Sequence, residues 1–580
     1  LILSSDGTSG DNLNWCGWVT NSRLACQTFV RDSVAGNILA ATNIIAVDAS
    51  GDNLRVLSKQ RSSRSLYADF RGGSVIDWSS SDNGSLLMTR SYVPEASTGT
   101  HIASKAEGLG VDRVDTVSGR ARKVESANRD AIYYLSDGRG NVRIMATQGY
   151  STSIGQFEPV VRYSYRAADG GGWKYLAQHD VVTNEGFEPV AVDAEANRVL
   201  GFQKIDGRQA VVAISLDGAA QTTVVYAHPE VDVDDIIRVG RNGRIVGVSF
   251  ATDRRVAVMT DPAMAKMTAA LSKALGESSI VVIDASADES RYIIRAEADT
   301  DPGVYYLFTP AAQELRPLLL SREPLSDLKL SRVKAIDYAA ADGTKIPAYL
   351  TLPPSRTDMK GLPAIVMPHG GPSARDEWGF DWLAQYFAQS GYAVIQPNYR
   401  GSAGYGDQWY ENNGFQSWRT AVGDVTDAGR WLISQGADPG KLSILGWSYG
   451  GYAALQSGVL APDLFHAIVA IAPVTDLAQL KDESSRDGGG RINAKFIGSG
   501  PHLREGSPAQ NAGLIKAPVL MFHGALDQNV DIAQSRTMLR ALESNGNRAE
   551  LVEYGDLAHS LEASEARTDM LRKISSFLPH

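Results

Sequence analysis

The hydrophobic pattern of this chain changes its period near residue 325. Before that point apolar residues come in short runs broken by polar or Asp-containing turns, without the 3.6-residue repeat that helices need. The unit is visible in "VIDWSSSDNGSLLMT" (75–89), "VAVDAEANRVLGFQ" (190–203), "IIRVGRNGRIVGVSF" (236–250) and "IVVIDASADESRYIIR" (280–295). The last three begin about 45 residues apart, a spacing suited to four-stranded propeller blades. At that period residues 1–325 hold about seven blades, or six if only the units that can be pointed to are counted. After "LSDLKLSRV" the pattern alternates: "PAIVMPHGG", "DWLAQYFAQSG", "YAVIQPNYRG", "VTDAGRWLISQG", "KLSILGWSYGG" and onward to a closing helix "EARTDMLRKISSFL". Strands alternating with helices predict an α/β sheet, mostly parallel and covered on both faces, over residues 326–580.

A chain of 580 residues exceeds what one core usually serves, in keeping with two domains. Its 43% hydrophobic and 21% charged residues, with a mean hydropathy of −0.18, are ordinary for a globular protein. A net charge of −10 argues against nucleic acid or an anionic membrane as the main partner. No apolar run is long enough to cross a bilayer. The chain opens on "LILSSDG", without methionine or a basic leader, and is expected to be a processed or trimmed product whose address is not written in it. Its two cysteines, Cys16 and Cys26, face each other if "TNS" turns a hairpin. A disulfide there would favour a periplasmic or secreted setting; the alternative is two small buried hydrophobes in a cytoplasmic protein. With no cysteine or histidine cluster beside them, no zinc site is expected.

In "ILGWSYGGYAAL", Ser448 sits in Gly446-Trp447-Ser448-Tyr449-Gly450, between a buried strand pattern and a helical one. That is the setting in which Gly-x-Ser-x-Gly exposes a nucleophile on a sharp strand-to-helix turn; the plain reading is a serine in a tight turn. A nucleophilic serine needs a base and an orienting carboxylate, which follow it in the order acid, then histidine. Of the two histidines that follow the candidate acids, His580 is the chain terminus, a poor anchor, and His559 in "YGDLAHSL" is the expected base. Asp527, after the strand "APVLMFHGAL", is the expected acid; Asp476, Asp531 and Asp556 remain alternatives that fit solvated or helix-capping roles better. The glycines of "MPHGGPSA" (367–374) let a backbone amide approach a developing oxyanion, with the amide of Tyr449 as second donor. His369 is read as organising that loop, and His523 as a hydrogen-bonded structural histidine.

The segments "PHGGP", "PNYRGSAGYG", "GWSYGGYAAL", "SPAQNAGLIKAPVLMFHGALDQNV" and "YGDLAHSL" together resemble the prolyl oligopeptidase family, nearest in style to its acylaminoacyl and dipeptidyl peptidase branches. The resemblance is specific over about residues 330–580 and architectural before that. It implies a β-propeller joined to an α/β-hydrolase domain, with Ser448, Asp527 and His559 as triad and Gly371 and Tyr449 as oxyanion donors. It further implies that Val474, Leu477, Tyr449 and Val530 line the pocket before the scissile bond, and that Asn529 holds a substrate carbonyl. Dipeptidyl peptidases grip the substrate amine with a Glu-Glu pair, and none occurs in residues 1–325. Glu185 and Glu188 could substitute, although solvated carboxylates fit them as well; Arg375, Arg400 and Arg491 could receive a substrate carboxylate or be plain surface arginines. The expected activity is a serine peptidase acting on short peptides, without a cofactor or metal. Its rivals are an esterase of the same fold and a non-catalytic propeller binding protein. Residue preference, exo- or endo-cleavage and oligomeric state, a homo-oligomer included, stay open.

Overall fold

A computed structural model describes residues 12–580 apart from 35–36, 59–61, 79–83, 98, 100–101, 154, 411–413 and 486–489. Up to Leu320 its strands form a propeller-like ring of small antiparallel meanders: sheets of four (Asn12–Val56), four (Val75–Asn128), eight (Ala131–Tyr226), three (Val233–Met259) and four strands (Ser279–Leu320). The eight-stranded sheet narrows between its fourth and fifth strands to two pairs, His179↔Gly186 and Asp180↔Glu185. Five sheets, one of them double, make six groups among the described residues; a seventh is not found. The length that suggested seven is taken up elsewhere. Residues 57–74 separate the first sheet from the short strand Val75–Asp77, and helix Pro262–Ala274, capped by Asp261, stands where the fifth group would have a fourth strand. Its Met264 and Leu271 pack on Val239, Val246 and Ile294.

Cys16 and Cys26 lie opposite each other in the first hairpin and are joined by a disulfide, with Cα atoms 4.0 Å apart. The next hairpin, Arg23–Val34 with Asn37–Asp48, pairs through twelve positions.

The second half holds one eight-stranded sheet, whose strands we label β1 (Val333–Ala339), β2 (Lys345–Thr351), β3 (Ala364–Val366), β4 (Ala393–Pro397), β5 (Leu442–Trp447), β6 (Ala467–Ile471), β7 (Val519–Gly524) and β8 (Ala549–Tyr554). The order across the sheet is β1-β2-β4-β3-β5-β6-β7-β8, antiparallel at β1, β2 and β4 and parallel thereafter. The central strands are wholly buried, as their continuous apolar runs require: β6 is "AIVAI" and β7 "VLMFHG". Helices Trp418–Ser434 and Tyr449–Leu460 pack on one face and Trp382–Gln389 and Ser564–Phe577 on the other, giving two hydrophobic layers. The carboxyl ends of β5, β6, β7 and β8 therefore open at one edge, where sites of open α/β sheets form.

The turns between second and third strands of the propeller groups face this domain. Asp206-Gly207, both at positive φ as a two-residue hairpin turn requires, accepts a bond from Asp407 N at Gly207 O (2.9 Å). Arg375 donates to the carbonyls of Ala251 (3.0 Å) and Thr252 (3.1 Å), and Tyr349 Oη to that of Asp253 (3.0 Å). Arg255 bridges Asp234 and Glu377. On the far side of the ring the long hairpin meets the sheet domain through Gln528 Nε2 donating to Ile38 O (3.2 Å) and an Arg31–Glu562 pair (3.5 Å).

Candidate active site

Ser448 caps helix Tyr449–Leu460 with φ 60° and ψ −120°, a region that a non-glycine residue enters only when its surroundings impose it. Three contacts impose it here. Ser448 N donates to Ile471 O of β6 (2.7 Å), and Ser448 O accepts from Tyr452 N (3.0 Å). Gly450 lies so close to the preceding loop that a Cβ would sit 2.1 Å from Pro368 O, so only glycine lets the turn meet "PHGG". The same approach leaves Gly370 near Ser448: a Cβ on Gly370 would come within 3.4 Å of the serine Cβ. Gly371 follows at φ 119°.

The loop after β7 carries Asp527, buried, and the loop after β8 carries His559, with a side chain 18% exposed. His559 Nδ1 donates to Asp527 Oδ2 at 2.6 Å. Trp447 Nε1, one residue before the serine, donates to His559 O at 2.9 Å and ties the histidine loop to the turn. Among the described residues no hydrogen bond links the Ser448 hydroxyl to His559, a looseness common in unliganded sites. Burial alone would raise the Asp527 pKa. Hydrogen bonds from His523 and His559, the attraction of His559 and the Val530 amide (3.0 Å) outweigh it and hold the carboxyl well below the usual range.

The other acids are engaged in the roles that suit them. Asp476 caps helix Leu477–Ser484 through the amides of Ala478 and Gln479, Asp531 accepts from Ala533 N, and Asp556 is exposed. His580 bonds Tyr392 and Ser575 O. His369 contacts Gly370 O and Ser402 Oγ (both 2.7 Å) and stacks on Tyr399; burial lowers its pKa to about 4, leaving it neutral beneath the loop. Val474, Leu477, Tyr449 and Val530 fall in one buried cluster, with the Tyr449 ring against Phe415 and Tyr452, while Asn529 is exposed beside Asp527 and donates its backbone N–H to that carboxylate (2.8 Å).

Two arginines are already occupied. Arg375 holds the propeller turn, and Arg400 is paired to Asp424 (2.7 Å) and Asp342 (2.6 Å), so neither is open to a substrate carboxylate. The Arg491 side chain lies outside the described residues. Glu185, exposed, stands 3.9 Å from Lys204, and Glu188 is half-buried on the same strand. The sequence reading missed the direct contact of His523 with the acid, Nε2 to Asp527 Oδ2 at 3.2 Å; its only trace is the His-x-x-x-Asp spacing of "HGALD". Among the described residues no group of three or more His, Cys, Asp or Glu could hold a metal ion, and no helix is long and apolar enough to cross a membrane.

Residues 378–580 match the prolyl oligopeptidase family. The chain is 29% identical over 389 residues to dipeptidyl aminopeptidase BIII of Pseudoxanthomonas mexicana, covering 63% of this chain and 56% of that protein. It is 27% identical over 269 residues to acylamino-acid-releasing enzyme 2 of Oryza sativa subsp. japonica, covering 44% and 35%. These alignments thus take in little more than half, and about a third, of the relatives' own lengths. Among solved structures, a puromycin-hydrolyzing peptidase of Mycobacterium tuberculosis superposes with a TM-score of 0.69 at 17% identity, over 99% of this chain and 94% of that one. That likeness extends the shared fold across both halves.

Proposed function

From a chain whose residues 378–580 match the prolyl oligopeptidase family, we propose a serine peptidase that hydrolyses short peptides through an acyl-enzyme. The observation that carries it is the 2.6 Å His559–Asp527 bond beside a serine held at φ 60° on a strand-to-helix turn. Ser448 Oγ attacks the scissile carbonyl carbon as its proton passes to His559 Nε2. Asp527 keeps the imidazole in the tautomer that can accept it and stabilises the imidazolium. The amides of Gly371 and Tyr449 face the developing oxyanion. The intermediate collapses with the His559 proton on the leaving amine, and water repeats the sequence on the acyl-enzyme. Val474, Leu477, Val530 and the Tyr449 ring form an apolar pocket for the residue before the cleaved bond, with Asn529 at its rim. The domains are 1–325 and 326–580, and the first limits the size of what reaches the second.

The test is Ser448→Ala, which removes one oxygen from a turn held by backbone bonds. Peptide and ester turnover should vanish while the thermal transition stays in place; burst acylation in the folded variant would refute the reading.

A further inference from the structure

Asp527 is gripped by two imidazoles. His523, on β7 four residues before the acid, is fully buried, and the chemistry above makes no use of it. Its Nε2 faces two groups that can only accept: Val530 O at 3.0 Å and Asp527 Oδ2 at 3.2 Å. Nε2 therefore carries a proton. Its Nδ1 lies 2.7 Å from Ser535 Oγ, also buried, which donates to it in the neutral ring. Asp527 Oδ2 thus accepts from His559 and has His523 Nε2 at 3.2 Å, while Oδ1 receives the amides of Asn529 (2.8 Å) and Val530 (3.0 Å). Three hydrogen bonds and the His523 contact surround one carboxylate.

We propose that His523 is a positioning residue for catalysis: its Nε2–H, oriented by Ser535, fixes the plane of the Asp527 carboxylate and draws charge from the oxygen that holds His559. A loop staple would need only the bond to Val530 O. The second contact, 3.2 Å to Oδ2, couples His523 to the base, because a positive N–H dipole beside that oxygen weakens the hold of the carboxylate on the imidazolium. This inference rests on the triad reading above.

Three variants separate the possibilities. His523→Leu keeps the bulk and removes the donor; kcat on a short peptide should fall about 10- to 100-fold, with KM changed by less than about twofold. The acid limb of its kcat/KM profile should move to higher pH, since His559 is then held by a less satisfied carboxylate. His523→Gln can place an amide N–H where Nε2 was and should restore both kcat and the pH limb. His523→Asn reaches only the Ser535 side and should not. Should the leucine variant fail to fold, the Gln–Asn comparison decides alone. A folded leucine variant with wild-type kcat and pH limb, or a glutamine variant no better than the asparagine one, would overturn the proposal. Labelling by a fluorophosphonate separates this failure from that of the triad: if wild-type protein labels at Ser448, the triad reading stands whatever the His523 variants do.

Discussion

The backbone of Ser448 is held at positive φ by its neighbours, so the proposed nucleophile is set by packing before any substrate arrives. Asp527 and His559 differ in kind: they come from two separate loops, joined by the side-chain bond between them and by Leu526 N donating to Leu557 O (2.9 Å). Asp527→Asn should therefore leave the fold intact but impose the wrong His559 tautomer, lowering kcat on the order of 10⁴-fold; a loss below tenfold would shift the role to another acid. Asp376 offers a second test at this scale. Half-buried in the loop that follows β3, with Oδ1 bonded to Gln396 (3.2 Å) and a buried Oδ2 that has no partner among the described residues, it has its pKa raised by desolvation and by the nearby Asp381. For a carboxyl raised on folding, the stabilising contribution is complete below the ordinary carboxylate pKa and is lost as pH rises toward the folded value. Asp376→Asn, a mimic of the protonated acid, should match wild type in Tm near pH 4 and exceed it increasingly toward neutrality. A difference in Tm that stays constant with pH would refute this account.

The elements that join the two halves are unequal. On one side the turn 251–255 is clamped by Arg375, whose guanidinium also stacks on Tyr405 at 4.3 Å, by Tyr349 and by the Arg255 bridge. On the other, the long hairpin touches the sheet domain through Arg31–Glu562 and Gln528, both contacts on loops that follow β7 and β8. Arg375→Ala removes charged bonds to two half-buried carbonyls and should cost about 2 kcal/mol, splitting one thermal transition into two in calorimetry. Arg31→Ala breaks a solvent-exposed pair and should change stability by less than about 0.5 kcal/mol. Equal effects from the two substitutions would mean that the clamp is not the anchor.

For the molecule as a whole, the ring stands over the edge at which Ser448 opens, with its second-to-third strand turns on the sheet domain. Successive turns of a meander lie at opposite strand ends, so the first-to-second turns form the outer mouth. There Trp18, Asn21, Arg241 and Ser286 border a cavity of about 620 Å³. If substrates reach Ser448 through this mouth or between the domains, as proposed, folded chains are excluded. Peptides of up to roughly 30 residues, too short for a stable core, should be cleaved, and globular proteins at equal concentration should not. Removing residues 1–325 should leave a poorly soluble fragment with residual ester hydrolysis. A soluble, fully active fragment, or ready digestion of folded protein by the whole chain, would refute the gate.

What the sequence determined by itself was whatever depends on short range. The period change at residue 325 marked two kinds of sheet, since side-chain alternation and helical repeat are local properties. The strand-to-helix turn at Ser448, the meeting of Asp527 with His559 and the facing pair Cys16–Cys26 were legible because each is tied to a strand end or a hairpin. The blade number was not: loops and a helix lengthen the chain without adding strands, and a period cannot tell them apart. Only the tertiary structure decided which buried polar groups meet. His523 at Asp527, Arg400 committed to Asp424 and Asp342, and Arg375 committed to the propeller turn are pairings between distant or oppositely directed side chains. They are selected by the need to satisfy each buried charge and donor, a condition that acts on the assembled fold and leaves no periodic mark in the chain.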